Sequence, residues 1–165
     1  MKRRLWVDGF MKDFILVLQL LGVLVIGLMC GSELNVAAFG HPTLNQQPLG
    51  VHIPVRASLA NLLGRVMPFW MAGSAVLNLV LLLPFVGLNG LSWRFAAFAF
   101  AIQIVAILFS IVAPVPINNR ISKWLTGSLP ADWKKQEHRW DVYHWFRTCA
   151  LIVSFGFLTL SLGVR

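Results

Sequence analysis

The sequence predicts an all-α protein, a four-transmembrane-helix bundle with two long loops on one membrane face. Three observations lead there. Hydrophobic residues fill 58% of the 165 positions and charged residues only 12%, against roughly 25% charged in an average soluble domain. The apolar residues fall into four runs, each near the ~20 residues that a helix needs to cross ~30 Å of hydrocarbon. None of these runs holds Asp, Glu, Lys, Arg or His in its central part. In water such a chain would expose large apolar patches, whereas lipid tails solvate them. The length fits one membrane domain, residues 1–165.

The first span is expected over about residues 14–32. It follows Lys2-Arg3-Arg4, a start that resembles a signal peptide, and Leu28-Met29-Cys30-Gly31 resembles a lipoprotein cleavage site. Met29 is too bulky for the position before such a cysteine, so an uncleaved helix is expected. From Glu33 to about Arg65 the chain carries Pro42, Pro48 and Pro54, which predicts an irregular loop. The second span covers about 67–86, and Gly87-Leu88-Asn89-Gly90 supplies a short turn. The third covers about 93–113 and should stop at Ala113-Pro114-Val115-Pro116, because prolines spaced by two do not continue a helix comfortably. Pro130-Ala131-Asp132-Trp133 reads as a helix start with Asp132 near the cap. An interfacial helix over about 133–144 would then run on into the last span, 145–164. Such a helix is about 45 Å long at 1.5 Å per residue, so its first turns lie at the head groups or in a protein vestibule. Gly27 and Gly31, Gly73 to Ala75, and Ala97 with Ala101 allow close helix approach. They fit a compact bundle and leave a homo-oligomer open.

The net charge of +8 sits in tails and loops rather than in a groove-forming stripe. Anionic lipid head groups, and no nucleic acid, are the expected counter-charge. Cys30 and Cys149 form no CxxC motif and read as buried, inert thiols.

Four spans put both termini and the short turn on one side and the two long loops on the other. Reactive residue types crowd the long-loop side, including all four histidines. Glu33, Asn118, Asn119 and His144 should lie at similar depth near that interface, where an ionisable group points either to water or into a polar cavity. On the last helix, Glu137, Asp141, His144 and Thr148 follow i, i+4, i+7, i+11 spacing, and Trp140, His144 and Arg147 follow i, i+4, i+7. An acid beside an imidazole sets its tautomer and raises its basicity, and an arginine one turn on can hold an anion. Trp133, Trp140 and Trp145 form either an aromatic wall or an interfacial belt. Gln19, Ser74, Asn78, Gln103 and Ser110 lie within the spans and serve either as interhelical glue or as a downward extension of a pocket. His41, His52, His138 and Glu33 show no HExxH and no paired histidines at i, i+4, so no metal is expected.

Pro116-Ile117-Asn118-Asn119-Arg120-Ile121, then Trp124, Asp132-Trp133, Arg139-Trp140, His144 and Arg147, make a pattern that is similar to the anthrone oxygenase-like family, also labelled a domain of unknown function. The resemblance covers about Pro114 to Thr148 and extends weakly to the first helix and its glycines. It implies a small four-helix membrane fold. It also implies oxidation of anthrones to anthraquinones with dioxygen, without flavin, haem or metal. The pocket it implies is built from Asn118, Asn119, Arg120, Trp140, His144 and Arg147.

On that basis the sequence yields two readings. The first is a small membrane-embedded oxidoreductase or oxygenase that needs no cofactor and acts on a lipophilic aromatic or quinone-like substrate. In it, His144 is the base, Glu137 or Asp141 orients it, and Arg147 or Arg120 stabilises an enolate oxygen. Asn118 and Asn119 hold carbonyl or hydroxyl groups, Trp133 and Trp140 stack on the substrate, and Glu33 borders it. The second is a non-catalytic membrane protein that binds a lipid, a quinone or a partner membrane protein. Basic residues on the two sides leave orientation nearly balanced; a bacterial inner membrane with cytoplasmic termini is expected.

Overall fold

A computed structural model describes residues 2–88 and 90–164. Asn89 of the short turn and Arg165 lie outside the described residues, as do the side chains of Lys2, Arg3 and Arg4. Helix α1 spans Lys2–Asn35, α2 His41–Leu44, α3 Leu49–Leu81, α4 Gly90–Val112, α5 Pro114–Ile121 and α6 Trp133–Gly163. Among the described residues, four helical stretches are long and apolar enough to cross a membrane: Met11–Leu44, Leu49–Leu81, Gly90–Val112 and Trp133–Gly163. The chain is an all-α bundle of four spans.

The segment from Glu33 to Arg65, expected as an irregular loop, is helical for most of its length. Its prolines fall where a helix tolerates them. Pro42 lies in the first turn of α2, after a π-helical turn over Val36–Gly40 in which the His41 N–H reaches the Val36 carbonyl. That i→i+5 register absorbs the step that a proline forces on the chain. Pro48, with φ −55° and ψ 148°, precedes α3. Pro54 and Pro68 lie inside α3, each removing one intrahelical hydrogen bond. Such losses are tolerated where neighbouring helices cover the freed backbone.

The remaining boundaries follow from local chemistry. Leu83 is extended, Pro84–Val86 form one 3₁₀ turn, and Gly87 and Gly90 take φ of 80° and 54°. A residue with a Cβ rarely adopts that left-handed region. α4 ends before Pro114, and Pro114 then starts α5, because proline is compatible with the first helical turn. α6 begins after Asp132, whose carboxylate accepts a hydrogen bond from Gln136 Nε2 at 2.9 Å.

α6 packs on α4 and α1, and α3 packs on α1 and α4. The main core joins Ile26, Met29, Leu81, Ala96, Leu151 and Leu158. Large apolar side chains also face outward, with Phe69 81% and Val112 77% exposed, as lipid-facing positions do. The polar residues within the spans act mostly as glue. Gln103 Nε2 donates to Ser74 Oγ at 2.9 Å, and Asn78 Nδ2 to Gln103 Oε1 at 3.4 Å. Gln19 Nε2 reaches Ser92 Oγ at 3.3 Å and Ser161 Oγ at 3.2 Å, and Ser154 Oγ donates to the Ala99 carbonyl at 2.7 Å. A smaller cluster of Ala57, Ile117, Ile121, Trp124 and Trp140 fastens α5 and α6 to the upper part of α3. There Asn118 Nδ2 donates to the Ala60 carbonyl at 2.8 Å.

Gly64 makes that last contact possible. A Cβ at this position would lie 2.7 Å from Asn118 Nδ2. Gly64→Val should therefore push α5 off α3 and lower stability by about 1–3 kcal/mol, read as a reduced thermal midpoint in detergent. Gly73→Ala, where nothing lies within 4 Å of the added atom, should leave the midpoint unchanged.

Candidate active site

The long-loop end of the bundle holds two tiers of buried polar groups. The inner tier joins α1 to α6. Glu33, in the last turn of α1, is 3% exposed, and His144 and Arg147 of α6 are 2% and 7% exposed. Arg147 donates from Nη2 at 2.6 Å and from Nε at 3.0 Å, both to Glu33 Oε2. His144 Nε2 lies 3.1 Å from the Glu33 backbone carbonyl. A carbonyl only accepts, so Nε2 carries the proton. His144 Nδ1 then keeps its lone pair and accepts from Arg147 Nη2 at 3.0 Å, while Glu33 Oε2 stands 3.2 Å away. One carboxylate and one guanidinium balance, and the imidazole between them need carry no charge.

The outer tier joins α3 to α6. His52 Nε2 lies 2.6 Å from Glu137 Oε1, and its Nδ1 lies 2.9 Å from the Leu44 carbonyl. Arg56 Nη2 reaches Asp141 Oδ1 at 2.5 Å, and its Nε lies 3.5 Å from Glu137 Oε1. His41 Nδ1 stands 3.1 Å from Asp141 Oδ1. Because Nδ1 of His52 must donate to the carbonyl, one further proton has to lie between Nε2 and the Glu137 oxygen. With that proton, two carboxylates, Arg56 and the His52 pair sum to zero charge.

Trp140 separates the tiers. Its ring stacks on His144 with centroids 4.6 Å apart and planes 16° apart. The Arg56 guanidinium carbon lies 5.0 Å from the same ring, and His41 meets it edge-on at 4.8 Å.

A cavity of about 420 Å³ opens beneath the inner tier. Its walls are mostly apolar and include Met67, Met71, Ile107 and Pro114. Its polar end is formed by Glu33, Asn118, Asn119, Trp140, His144 and Arg147. Six of the ten site residues expected from sequence therefore meet around one recess. The other four do not. Arg120 is exposed on α5. Trp133 packs on His52 at 5.7 Å and Trp124 at 6.2 Å. Glu137 and Asp141 belong to the outer tier, so the acid beside His144 is Glu33 and neither of these. Trp145 is 41% exposed and faces outward. Of the polar residues within the spans, Ser110 lines the cavity while its hydroxyl donates to the Ala106 carbonyl at 2.7 Å. Among the described residues, no group of three His, Cys, Asp and Glu is arranged to hold a metal ion.

Sequence reasoning missed His41, His52 and Arg56 as partners of α6. The signal was present as matched spacing. His52 and Arg56 are i, i+4 on α3, Glu137 and Asp141 are i, i+4 on α6, and both pairs are separated by 85 residues. Two parallel helices zip at constant offset, but only if the proline-bearing segment is read as helix.

The inner tier is a buried ion pair, so removing one partner strands the other charge. Glu33→Leu and Arg147→Leu should each destabilise the protein by about 3–5 kcal/mol. The double variant should be less destabilised than either single one, as measured by denaturation in detergent.

No curated protein and no solved structure matches the chain. The family model described as anthrone oxygenase matches residues 58–157, which takes in most of α3, all of α4 and α5 and most of α6. The matched stretch includes Asn118, Asn119, Trp140, His144 and Arg147, whereas Glu33, His41, His52 and Arg56 precede it. By that match the chain, a multi-pass membrane protein, belongs to the anthrone oxygenase family.

Proposed function

We propose that the chain is a membrane-embedded oxygenase that oxidises a lipophilic, enolisable aromatic substrate with dioxygen, using His144 as the base. The observation that carries this reading is one recess with an apolar body and a polar end. A ring system would fill the part walled by Met67, Met71 and Ile107, and its carbonyl would meet Asn118 and Asn119. Trp140, already stacked on His144, would hold the base in line with a flat ring.

The hydrogen bonds of His144 suit a base. Its Nε2 proton is fixed on the Glu33 carbonyl, so the lone pair lies on Nδ1. When Nδ1 takes a proton from the substrate carbon, it can no longer accept from Arg147. It then donates to Glu33 Oε2, 3.2 Å away, and the carboxylate stabilises the imidazolium. The Arg147 N–H that it releases can then donate to the enolate oxygen, while Arg147 stays paired with Glu33. The carbanion meets dioxygen and forms a carbon–oxygen bond. His144 returns the proton to the peroxide so formed. Loss of water, with cleavage of the O–O bond, leaves a carbonyl where the CH₂ group stood. The balance is CH₂ + O₂ → C=O + H₂O, and no cofactor is required by it. Orientation by Glu33 replaces the earlier expectation of Glu137 or Asp141, and Arg120 has no part in it.

A second reading, a non-catalytic protein that binds a lipid or quinone, is favoured by one feature. Glu33, Arg147 and His144 satisfy one another without a ligand. Turnover separates the two. With anthrone dissolved in vesicles that carry the reconstituted protein, oxygen uptake and anthraquinone absorbance should rise together. His144→Gln should lower the rate by about 10²-fold while the protein still binds anthraquinone. Full turnover by His144→Gln would remove His144 as the base, and no turnover by the parent protein would favour the binding reading.

A further inference from the structure

The exposure of the residues that line the cavity points to a route for the substrate. Of the residues that line it, those from α1 and α6 are buried or half-buried. The exposed ones all come from three elements. On α3 they are Gly64, Pro68 and Ala72, and on α4 and α5 they are Ile111, Val115 and Asn119. The α3 set repeats at i, i+4, i+8, which is one edge of a helix, and the other set follows the chain across the break between α4 and α5. Two facing helix edges that both line a cavity and meet the outside are the jambs of a window.

Two hydrogen-bonded ties bound that window. Toward the short-turn end, Gln103 binds Ser74 at 2.9 Å. Toward the long-loop end, Asn118 binds the Ala60 carbonyl at 2.8 Å. Ala60 and Ser74 are 14 positions apart, about 21 Å of helix. Within that stretch the side chains facing the gap on α3 are small: Gly64 has none, Pro68 carries a compact ring and Ala72 one methyl. Depth decides what lies outside. Measured from Leu81, where α3 ends, Ala72 is about 14 Å and Gly64 about 26 Å along the helix. With the layer taken to begin at Leu81, Ala72 lies well inside ~30 Å of hydrocarbon, and Gly64 lies near its outer boundary, beside the exposed Arg65.

We infer that the substrate enters sideways from the bilayer, through the gap between α3 and α4–α5, with Ala72 near its short-turn end and Val115 near its long-loop end. The inference rests on the reading of the cavity as a substrate site. A molecule taking this route is one that already partitions into lipid tails in neutral form. A planar ring system can pass edge-on between two helices held at both ends, whereas a charged head group would have to cross hydrocarbon to reach the gap. The polar groups of His144 and Arg147, buried on α6, are met last.

The test uses the protein in phosphatidylcholine vesicles with its native thiols removed by Cys30→Ala and Cys149→Ser. Ala72→Cys and Val115→Cys are made separately, so that misfolding of one leaves the other. Val76→Cys, on α3 and 58% exposed but outside the cavity lining, is the control. Each is treated with membrane-dissolved pyrenyl maleimide and, separately, with a sulfonated maleimide confined to water. The association rate of 9,10-anthraquinone is then read by energy transfer from tryptophan. Expected is labelling of Ala72→Cys and Val115→Cys by the pyrenyl reagent only, with association slowed about tenfold or more after labelling, and no slowing at Val76→Cys. Labelling of both window sites by the sulfonated reagent, or unchanged association after pyrene attachment, would overturn the route. If the unlabelled parent binds no anthraquinone, the aromatic-substrate reading fails, while the contrast between the two maleimides still decides whether the window meets lipid.

Discussion

The buried pair between Glu33 and Arg147 fixes the rest of the site. It closes α1 on α6 at the depth where the cavity begins, and both groups are more than nine-tenths buried. A carboxylate left alone there carries a desolvation penalty of several kcal/mol, and so does a guanidinium. Each is tolerable only because the other is present in good hydrogen-bonding geometry. The pair thereby dictates the state of His144. With the Glu33 backbone carbonyl on Nε2 and Arg147 on Nδ1, the ring has one tautomer and one orientation. Trp140 then stacks on a ring that is already held. The polar end of the cavity follows from one interhelical contact instead of from several independent placements.

Most of the architecture could be read from the sequence, because the bilayer leaves few options. A run of about 20 apolar residues must become a helix, since its backbone groups find no water to bond. That constraint located α4 and the membrane part of α6 without any knowledge of packing. It says nothing about Glu33 to Arg65, which is too polar to be read as a span. The prolines there pointed to a loop, yet Pro42 and Pro48 stand at helix starts and Pro54 is absorbed within α3. The rule that proline breaks helices is a rule about interiors in water. It weakens at the first turn and wherever other helices cover the freed carbonyl.

The same misreading explains the assignment of the acids. Glu137, Asp141 and His144 do share a side of α6, as their spacing implies. Spacing along one helix gives direction but not depth. Glu137 precedes His144 by seven residues, a rise of about 10 Å, too far for a side-chain contact. Asp141 is nearer but turns toward Arg56 and His41. What selects a partner for each acid is the helix opposite, and that helix had been taken for a loop. Asn118 and Asn119 were easier, because the proline break before α5 sets them at the end of a span whatever the partner. Only their division of labour was hidden, with Asn118 committed through Nδ2 to Ala60 while Asn119 stays exposed at the window.

Each tier balances its own charge, and this bears on how the cavity could work. Glu33 with Arg147 sums to zero, and the outer tier sums to zero once His52 and Glu137 share a proton. The cavity is thus lined by a neutral, preorganised set of dipoles and matched ions, which gives a neutral lipophilic molecule no electrostatic reason to bind strongly. On the proposed reading, that is the useful condition. Proton transfer to His144 creates an anion in the cavity and a cation in the inner tier at the same moment. The imidazolium gains Glu33, and the enolate gains the hydrogen bond from Arg147 that His144 gives up. Interactions that appear only as charge develops lower the barrier without deepening the ground state. On that reading the arrangement would favour the transition state over the bound substrate for a physical reason, namely that the lone pair of the proposed base is held by the same guanidinium that the enolate would need.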